Sequence, residues 1–301
     1  MLIPDGRVVF VPAGAAFTTI YNPTTNTYTT LGPAPGNNAY SGGVLLPDGR
    51  VVFVPYNAAF TTVYNPTTNT YTTLGPAPGT GAYEGGVLLA DGRVLFVPSN
   101  AAFTTIYNPT TNSYTTLGPA PGNTAYVGGV LLPDGRVVFV PSNAAFTTVY
   151  NPTTNSYTTL GPAPGTIAYV GGVLLSDGRV VFIPHNAAFT TIYNPNTNSY
   201  TTLGPAPGSN AYRGGVLLPD GRVVFVPRNA VFTTIYNPTT NTYATIPGAP
   251  GSDAYFGGTL LPDGRVLFLP WNGLQLGVLN PTLTKKNPPP EFCLHPCFNK
   301  F

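Results

Sequence analysis

Acidic and basic side chains recur together in this chain as the tripeptide Asp-Gly-Arg, which occurs seven times at a spacing of 43 residues, from Asp5 to Asp263. Seven carboxylates gathered in one place would bind cations, and seven guanidinium groups would bind anions. Asp-Gly is also a common hairpin turn, in which Gly adopts positive φ and Asp bonds its own backbone. We therefore predict a structural turn in which each Arg pairs with an Asp of its own or the adjacent repeat.

Histidine and cysteine are scarce, which limits the catalytic chemistry open to the chain. His185 and His295 are the two histidines, and neither lies beside a Ser or Cys in a nucleophile motif, so we expect no hydrolase triad. Cys293 and Cys297 flank His295 in the sequence CLHPC, which offers half of a tetrahedral zinc site. The two cysteines could instead be free thiols or form a small disulfide loop. We favour this second interpretation, because two Cys and one His do not complete a tetrahedral zinc site.

The repeats differ from one another most strongly at two positions, which makes these positions candidates for recognition. One position follows the second predicted strand of each repeat, and the other precedes the first strand. Several of the residues found there are aromatic or arginine, which are the types enriched at binding hot spots. The predicted ligand-binding residues of this variable face are Tyr56, His185, Arg228, Trp271, Glu84, Arg213 and Phe256. Unconstrained drift of loop residues would produce the same variation.

Each 43-residue repeat contains four runs of strand length, which in the second repeat are 43–46, 51–54, 60–64 and 70–74. Asp-Gly and Asn-Pro turns join these runs at one end, so the two variable connections emerge together at the other end. Hydrophobicity falls from the first run to the fourth, which predicts a buried first strand and a polar outer edge. The repeat length and strand content predict an all-β fold, a seven-bladed β-propeller of four-stranded antiparallel blades.

The Gly-Gly opening, the LPDGRV hairpin and the YNPTTNTY segment resemble, in that order, a kelch-type repeat. This resemblance implies a propeller, within a family that includes binding proteins and copper oxidases such as galactose oxidase. The chain has Tyr where that family often has Trp, as at Tyr71, and we expect the Tyr hydroxyl to reach solvent. One histidine within the repeats is too few for a copper site, and no sialidase-type Asp box occurs, so oxidase-like or sialidase-like enzymes are less favoured.

The repeats span residues 1–281, with the first and last repeats incomplete, and a proline-rich tail follows at 282–301. We expect the first and seventh blades to close the ring by packing on each other, with six blades or a linear stack as the alternatives. The tail leaves the repeat pattern, which is typical of an extension or a docking segment.

Composition narrows the functional classes further. Only 7% of the residues are charged and the formal net charge is +2, so we expect no nucleic-acid partner. Charges or prolines interrupt every apolar run, which argues against membrane insertion. No classical signal peptide is visible, and the many Thr and Asn residues favour an extracellular or particle-surface location.

These observations together predict a non-catalytic interaction module that recognises a protein or carbohydrate ligand through the variable face. We expect no cofactor and no metal, because the repeated residues that face the channel are Gly, Val and Leu. The alternative is a structural component of a coat, fibre or surface appendage, assembled into a larger complex.

Overall fold

The computed structural model describes residues 1–33, 38–77, 79–120, 124–162, 166–205, 209–271 and 276–281. In these ranges the strands form seven consecutive antiparallel sheets, one for each repeat, so the prediction of an all-β chain with seven blades is confirmed. No helix in the described ranges is long and apolar enough to cross a bilayer. The contacts divide the chain into an N-terminal unit, Met1–Thr166, and a C-terminal unit, Ile167–Phe301.

The N-terminal unit contains four sheets, in which consecutive strands pair with each other. Its strands are β1 (Val8–Phe10), β2 (Phe17–Asn22), β3 (Thr27–Pro33), β4 (Tyr40–Leu45), β5 (Val51–Pro55), β6 (Phe60–Asn65), β7 (Thr70–Pro76), β8 (Tyr83–Leu88), β9 (Val94–Pro98), β10 (Phe103–Asn108), β11 (Ser113–Pro119), β12 (Tyr126–Leu131), β13 (Val137–Pro141), β14 (Phe146–Asn151) and β15 (Ser156–Pro162). The first sheet has three strands, to which Leu2 adds an isolated bridge with Val8.

The C-terminal unit contains three sheets with the same order of strands. Its strands are β16 (Tyr169–Leu174), β17 (Val180–Pro184), β18 (Phe189–Asn194), β19 (Ser199–Pro205), β20 (Tyr212–Leu217), β21 (Val223–Pro227), β22 (Phe232–Asn237), β23 (Thr242–Pro247), β24 (Tyr255–Leu260), β25 (Val266–Pro270) and β26 (Gly277–Leu279). In the described ranges the last sheet has three strands. The predicted tail, with Cys293, His295 and Cys297, lies outside the described residues.

Each Asp-Gly-Arg forms the predicted hairpin turn between two strands of one sheet. In the second repeat, the Arg50 backbone N–H donates to Asp48 Oδ1 at 3.0 Å, and Gly49 supplies the positive φ of 87°. The Arg50 side chain reaches the same carboxylate, with Nε 2.8 Å and Nη2 2.7 Å from Asp48 Oδ2. The predicted ion pair is confirmed and lies within one turn, so each guanidinium compensates the carboxylate beside it.

These turns make the stability of the fold sensitive to acid. In all seven turns the hydrogen bond from Arg lowers the Asp pKa below its usual value. The stabilisation is therefore complete above the unfolded pKa of about 3.9 and is lost as the pH falls through the lower folded pKa. The pairs are about half exposed, so each contributes only ~0.2–1 kcal/mol.

We accordingly expect the urea midpoint of unfolding to fall when the pH is lowered from about 5 to about 3. Urea unfolding followed by circular dichroism at pH 5, 4 and 3 would measure this midpoint, with pH 5 as the reference. A midpoint that stays constant down to pH 3 would contradict this assignment.

Burial is greatest in the second strand of each four-stranded sheet, so the predicted decrease from the first strand onward is wrong. All five residues of β5 are buried, whereas four of the six residues of β4 are only partly buried. A second strand has a neighbour on each side, but a first strand is the edge of its sheet. The Gly pair at this edge lets first strands of neighbouring sheets, such as β4 and β8, approach each other.

The second glycine of each pair is required by this close approach. A Cβ on Gly43 would lie 2.8 Å from Val11 Cγ2 and 3.1 Å from Val51 Cγ1, whereas a Cβ on Gly42 would meet nothing within 4 Å. We expect Gly43→Ala to destabilise the protein by ~1–3 kcal/mol through overpacking, and Gly42→Ala to have little effect. Urea unfolding of both variants would measure the difference. Equal midpoints would show that the space between the sheets does accommodate a Cβ at residue 43.

Tyrosine and threonine form the polar part of each sheet's core. The Tyr83 hydroxyl of a first strand and the Thr105 hydroxyl of a third strand are hydrogen-bonded at 2.6 Å, and the same pair recurs in other repeats. The fourth-strand tyrosines do not direct their hydroxyls to solvent as expected, because Tyr114 donates to the Leu74 carbonyl of the preceding sheet at 3.3 Å. Tyr71 likewise has a buried hydroxyl.

Candidate functional site

The backbone of the repeat fixes the position of each variable side chain that follows a second strand. The Arg228 N–H donates to the Ala211 carbonyl of its own repeat at 2.8 Å, and the Arg228 carbonyl accepts from Ala254 of the next repeat at 2.8 Å. The His185 N–H bonds Ala168 and the Trp271 N–H bonds Ala254 in the same way, at 2.8 and 3.0 Å. These side chains therefore follow one another from sheet to sheet.

Five of the seven predicted ligand-binding residues belong to the C-terminal unit. These are His185, Arg213, Arg228, Phe256 and Trp271. His185 lies beside Arg228, Arg213 lies over Phe256, and Phe256 stacks on Trp271. Four of the five, all except His185, line one cavity. The predicted Tyr56 and Glu84 are partly buried residues of the N-terminal unit. The candidate site described below consists of the five C-terminal residues with Asp253 and Tyr255.

Polar contacts orient the guanidinium of Arg228. Its Nε donates to Asp253 Oδ1 at 2.6 Å, and its Nη1 lies 3.4 Å from His185 Nε2. Asp253 is itself held by a hydrogen bond from its N–H to Asn229 Oδ1 at 2.7 Å. Because a guanidinium can only donate, Nε2 of His185 is the acceptor in this contact.

His185 is a buried imidazole in a positive environment. His185 is only 5% exposed, and its Nδ1 atom has no hydrogen-bond partner. Burial lowers the pKa of His185 most, the Arg213 and Arg228 cations lower it further, and the Asn186 side chain acts in the opposite direction. The imidazole is therefore neutral at pH 7 with its proton on Nδ1, and its Nε2 lone pair accepts the hydrogen bond from Arg228.

Aromatic side chains form the other wall of the site. The Phe256 and Trp271 rings are stacked with centroids 4.6 Å apart and planes inclined by 28°. The Arg213 guanidinium lies over the Phe256 ring, with Cζ 5.0 Å from the centroid. A cavity of about 190 Å³ opens here, lined by Arg213, Arg228, Tyr255, Phe256 and Trp271.

Two residues of this site were not among the predicted ligand-binding residues. Asp253 directly precedes the Ala-Tyr pair that recurs in the repeats. The residues ahead of this pair differ between repeats, so the sequence carried a signal for Asp253. Tyr255 occurs in the same form in each complete repeat and carries no such signal. A structural role in the sheet core explains that invariance, because Tyr255 packs on Phe268 with centroids 5.1 Å apart.

No family model matches the chain, and no curated protein sequence matches it. A streptogramin B lyase structure matches with a TM-score of 0.76 and 17% identity, covering 89% of this chain and 88% of that chain. A catalytically inactive histidine-to-alanine variant of virginiamycin B lyase from Staphylococcus aureus, with quinupristin, matches with a TM-score of 0.77 and 14% identity over 90% of each chain. The fold is a seven-bladed β-propeller.

A fungal alcohol oxidase in complex with copper also shares this fold, with a TM-score of 0.69 and 14% identity over 89% of this chain and 68% of that chain. The residues that the structure describes do not fit a copper site of that kind. In the part of the chain that the structure describes, no three His, Cys, Asp or Glu residues lie together, and His185 is the only histidine. Copper sites in proteins draw mainly on such ligands, above all imidazole.

The comparisons contradict the prediction of a non-catalytic binding module, because these similar propellers are lyases and an oxidase. Identities of 14–17% establish the fold alone. The prediction was wrong because arginine and aromatic residues around a cavity serve recognition and catalysis equally well. The kelch resemblance is confirmed as far as the propeller fold.

Proposed function

We propose that this propeller is an enzyme of the lyase type, which removes a proton from the carbon beside a carbonyl group and eliminates a leaving group. His185 is the base in this proposal. The observation that carries the proposal is the buried, neutral imidazole of His185, whose Nε2 lies 3.4 Å from the guanidinium of Arg228, a residue that lines the aromatic cavity. A base with a lowered pKa is unprotonated at neutral pH, as proton abstraction requires.

The proposed step balances within these residues and the substrate. When the Arg228 guanidinium transfers its donor from His185 to the carbonyl oxygen of the substrate, Nε2 of His185 takes the proton from the carbon next to the carbonyl. The electron pair of that C–H bond moves toward the carbonyl oxygen. Arg228 and Arg213 stabilise the negative charge that develops on this oxygen. The carbon–carbon double bond then forms as the bond to the leaving oxygen breaks, and the His185 imidazolium returns its proton to that oxygen.

The names of the similar structures agree with this chemistry. Two of the matched propellers are described as lyases, and one of them is catalytically inactive when a histidine is replaced by alanine. His185 is the histidine available for that role among the described residues. The oxidase alternative is supported less well, because a copper ligand set has no counterpart in the described part of the chain.

The test is an elimination assay on the purified full chain. Quinupristin, the compound in the similar lyase structure, and simple esters with a leaving oxygen on the β carbon are the substrates. We expect an unsaturated product, detected by its ultraviolet absorbance and by mass. His185→Ser is the matched variant, because Ser99 and Ser142 occupy the equivalent position in two other repeats. Absence of product from both substrate types, or equal turnover by His185→Ser, would overturn the proposal.

A further inference from the structure

The aromatic wall of the site is specific to the last sheet. Phe256 and Trp271 stack in the last sheet, while the equivalent positions of the fourth repeat hold Val127 and Ser142. Both aromatic residues are partly exposed, so a ligand can reach their rings. Aromatic rings prefer offset-stacked or edge-to-face neighbours, so this wall discriminates by shape between flat and puckered groups.

The size of the cavity limits what lies against this wall. Its volume of about 190 Å³ is below the ~300–1,000 Å³ typical of pockets that enclose whole drug-sized ligands. The cavity therefore accommodates one ring with its polar substituent, and the rest of a larger substrate lies outside it.

The polar end of the cavity lies next to the aromatic wall. Arg213 lines the cavity, and its guanidinium lies over the Phe256 ring. Arg228 also lines the cavity and contacts His185. A bound group thus meets an aromatic face and a guanidinium donor within one small space.

We infer that the substrate carries a planar aromatic ring next to its reacting carbonyl group, with the ring against Phe256 and Trp271 and the carbonyl oxygen at Arg228. This inference rests on the proposed function and adds the substrate class to it. Phe256 and Trp271 are specificity-determining residues in this arrangement, and His185 acts on the adjacent carbon.

Trp271 is the only tryptophan of the chain, so intrinsic tryptophan fluorescence reports on this site alone. We expect benzoate to change the Trp271 emission in a saturable way. Cyclohexanecarboxylate has the same charge and a similar size but a puckered ring, and we expect it to bind about threefold to tenfold more weakly, the contribution of one aromatic pair. Equal dissociation constants for the two carboxylates would overturn the inference.

Two variants separate the ring from the charge. Phe256→Val introduces the residue type that Val127 and Val170 provide at the equivalent position of two other repeats. This variant keeps the tryptophan signal and should abolish the preference for benzoate. Arg228→Ser should weaken both carboxylates by a similar factor. A preference for benzoate that persists in Phe256→Val would show that the ring lies elsewhere.

The same titrations with His185→Ser distinguish failure of this inference from failure of the proposed function. If turnover depends on His185 but the wild-type protein binds both carboxylates equally, the ring assignment is wrong and the base assignment stands. If turnover is unchanged in His185→Ser, the proposed function is wrong, whereas a remaining preference for benzoate would still support an aromatic site at Trp271.

Discussion

Replacing His185 by Ser is expected to lower kcat for elimination by about 10²–10⁴-fold, the usual contribution of a general base. The substitution removes the Nε2 lone pair that receives the substrate proton. The fold should tolerate it, because Ser99 and Ser142 are buried at the equivalent position, with exposures of 0% and 3%. Product formation measures kcat, and circular dichroism with urea unfolding checks that the variant is folded.

The pH dependence of kcat/KM provides an independent check of His185. Its neutral form is the active one, and burial with the nearby arginine cations lowers its pKa. Activity should therefore persist below the usual pH range of histidine titration and disappear as the pH falls through the lowered pKa. The residual activity of His185→Ser should lack this acid limb. An unchanged limb in the variant would identify another group as the base.

The parts of the fold that the sequence predicted well are those whose causes are local. Each Asp-Gly-Arg turn depends on residues two apart, and the observed contact of Arg50 with Asp48 lies within such a turn. The order of burial could not be predicted in the same way. Hydrophobicity describes one strand, whereas the burial of β4 depends on the sheet neighbours that an edge strand lacks.

The candidate site was predicted in part, because the exact repeat spacing places equivalent residues of successive sheets in register. That register brings His185, Arg228 and Trp271 onto consecutive sheets. The bond between Arg228 and Asp253 was not predicted, because it joins two loops that are 25 residues apart. The lowered pKa of His185 could not be predicted either, since it depends on burial and on two arginine cations of the next sheet.

Replacing Arg228 by Ser is expected to reduce kcat by about 10²–10³-fold, the usual effect of removing one donor to a developing oxyanion. The same change should raise the His185 pKa, because it removes a cation and leaves the Asp253 carboxylate nearby. The acid limb of the pH profile should consequently move to higher pH. Both quantities come from one set of rate measurements across pH.

Arg179→Ser is the matched control, because Arg179 belongs to an Asp-Gly-Arg turn of the same unit and pairs with Asp177 there. This control also removes one guanidinium, but it should leave kcat and the acid limb unchanged and lower stability by only ~0.2–1 kcal/mol, as for an exposed ion pair. If Arg179→Ser reduces turnover as strongly as Arg228→Ser, the loss reflects the general charge of the protein. If Arg228→Ser lowers kcat without moving the acid limb, Arg228 does not act on His185, and the contact between their side chains has no part in the proton transfer.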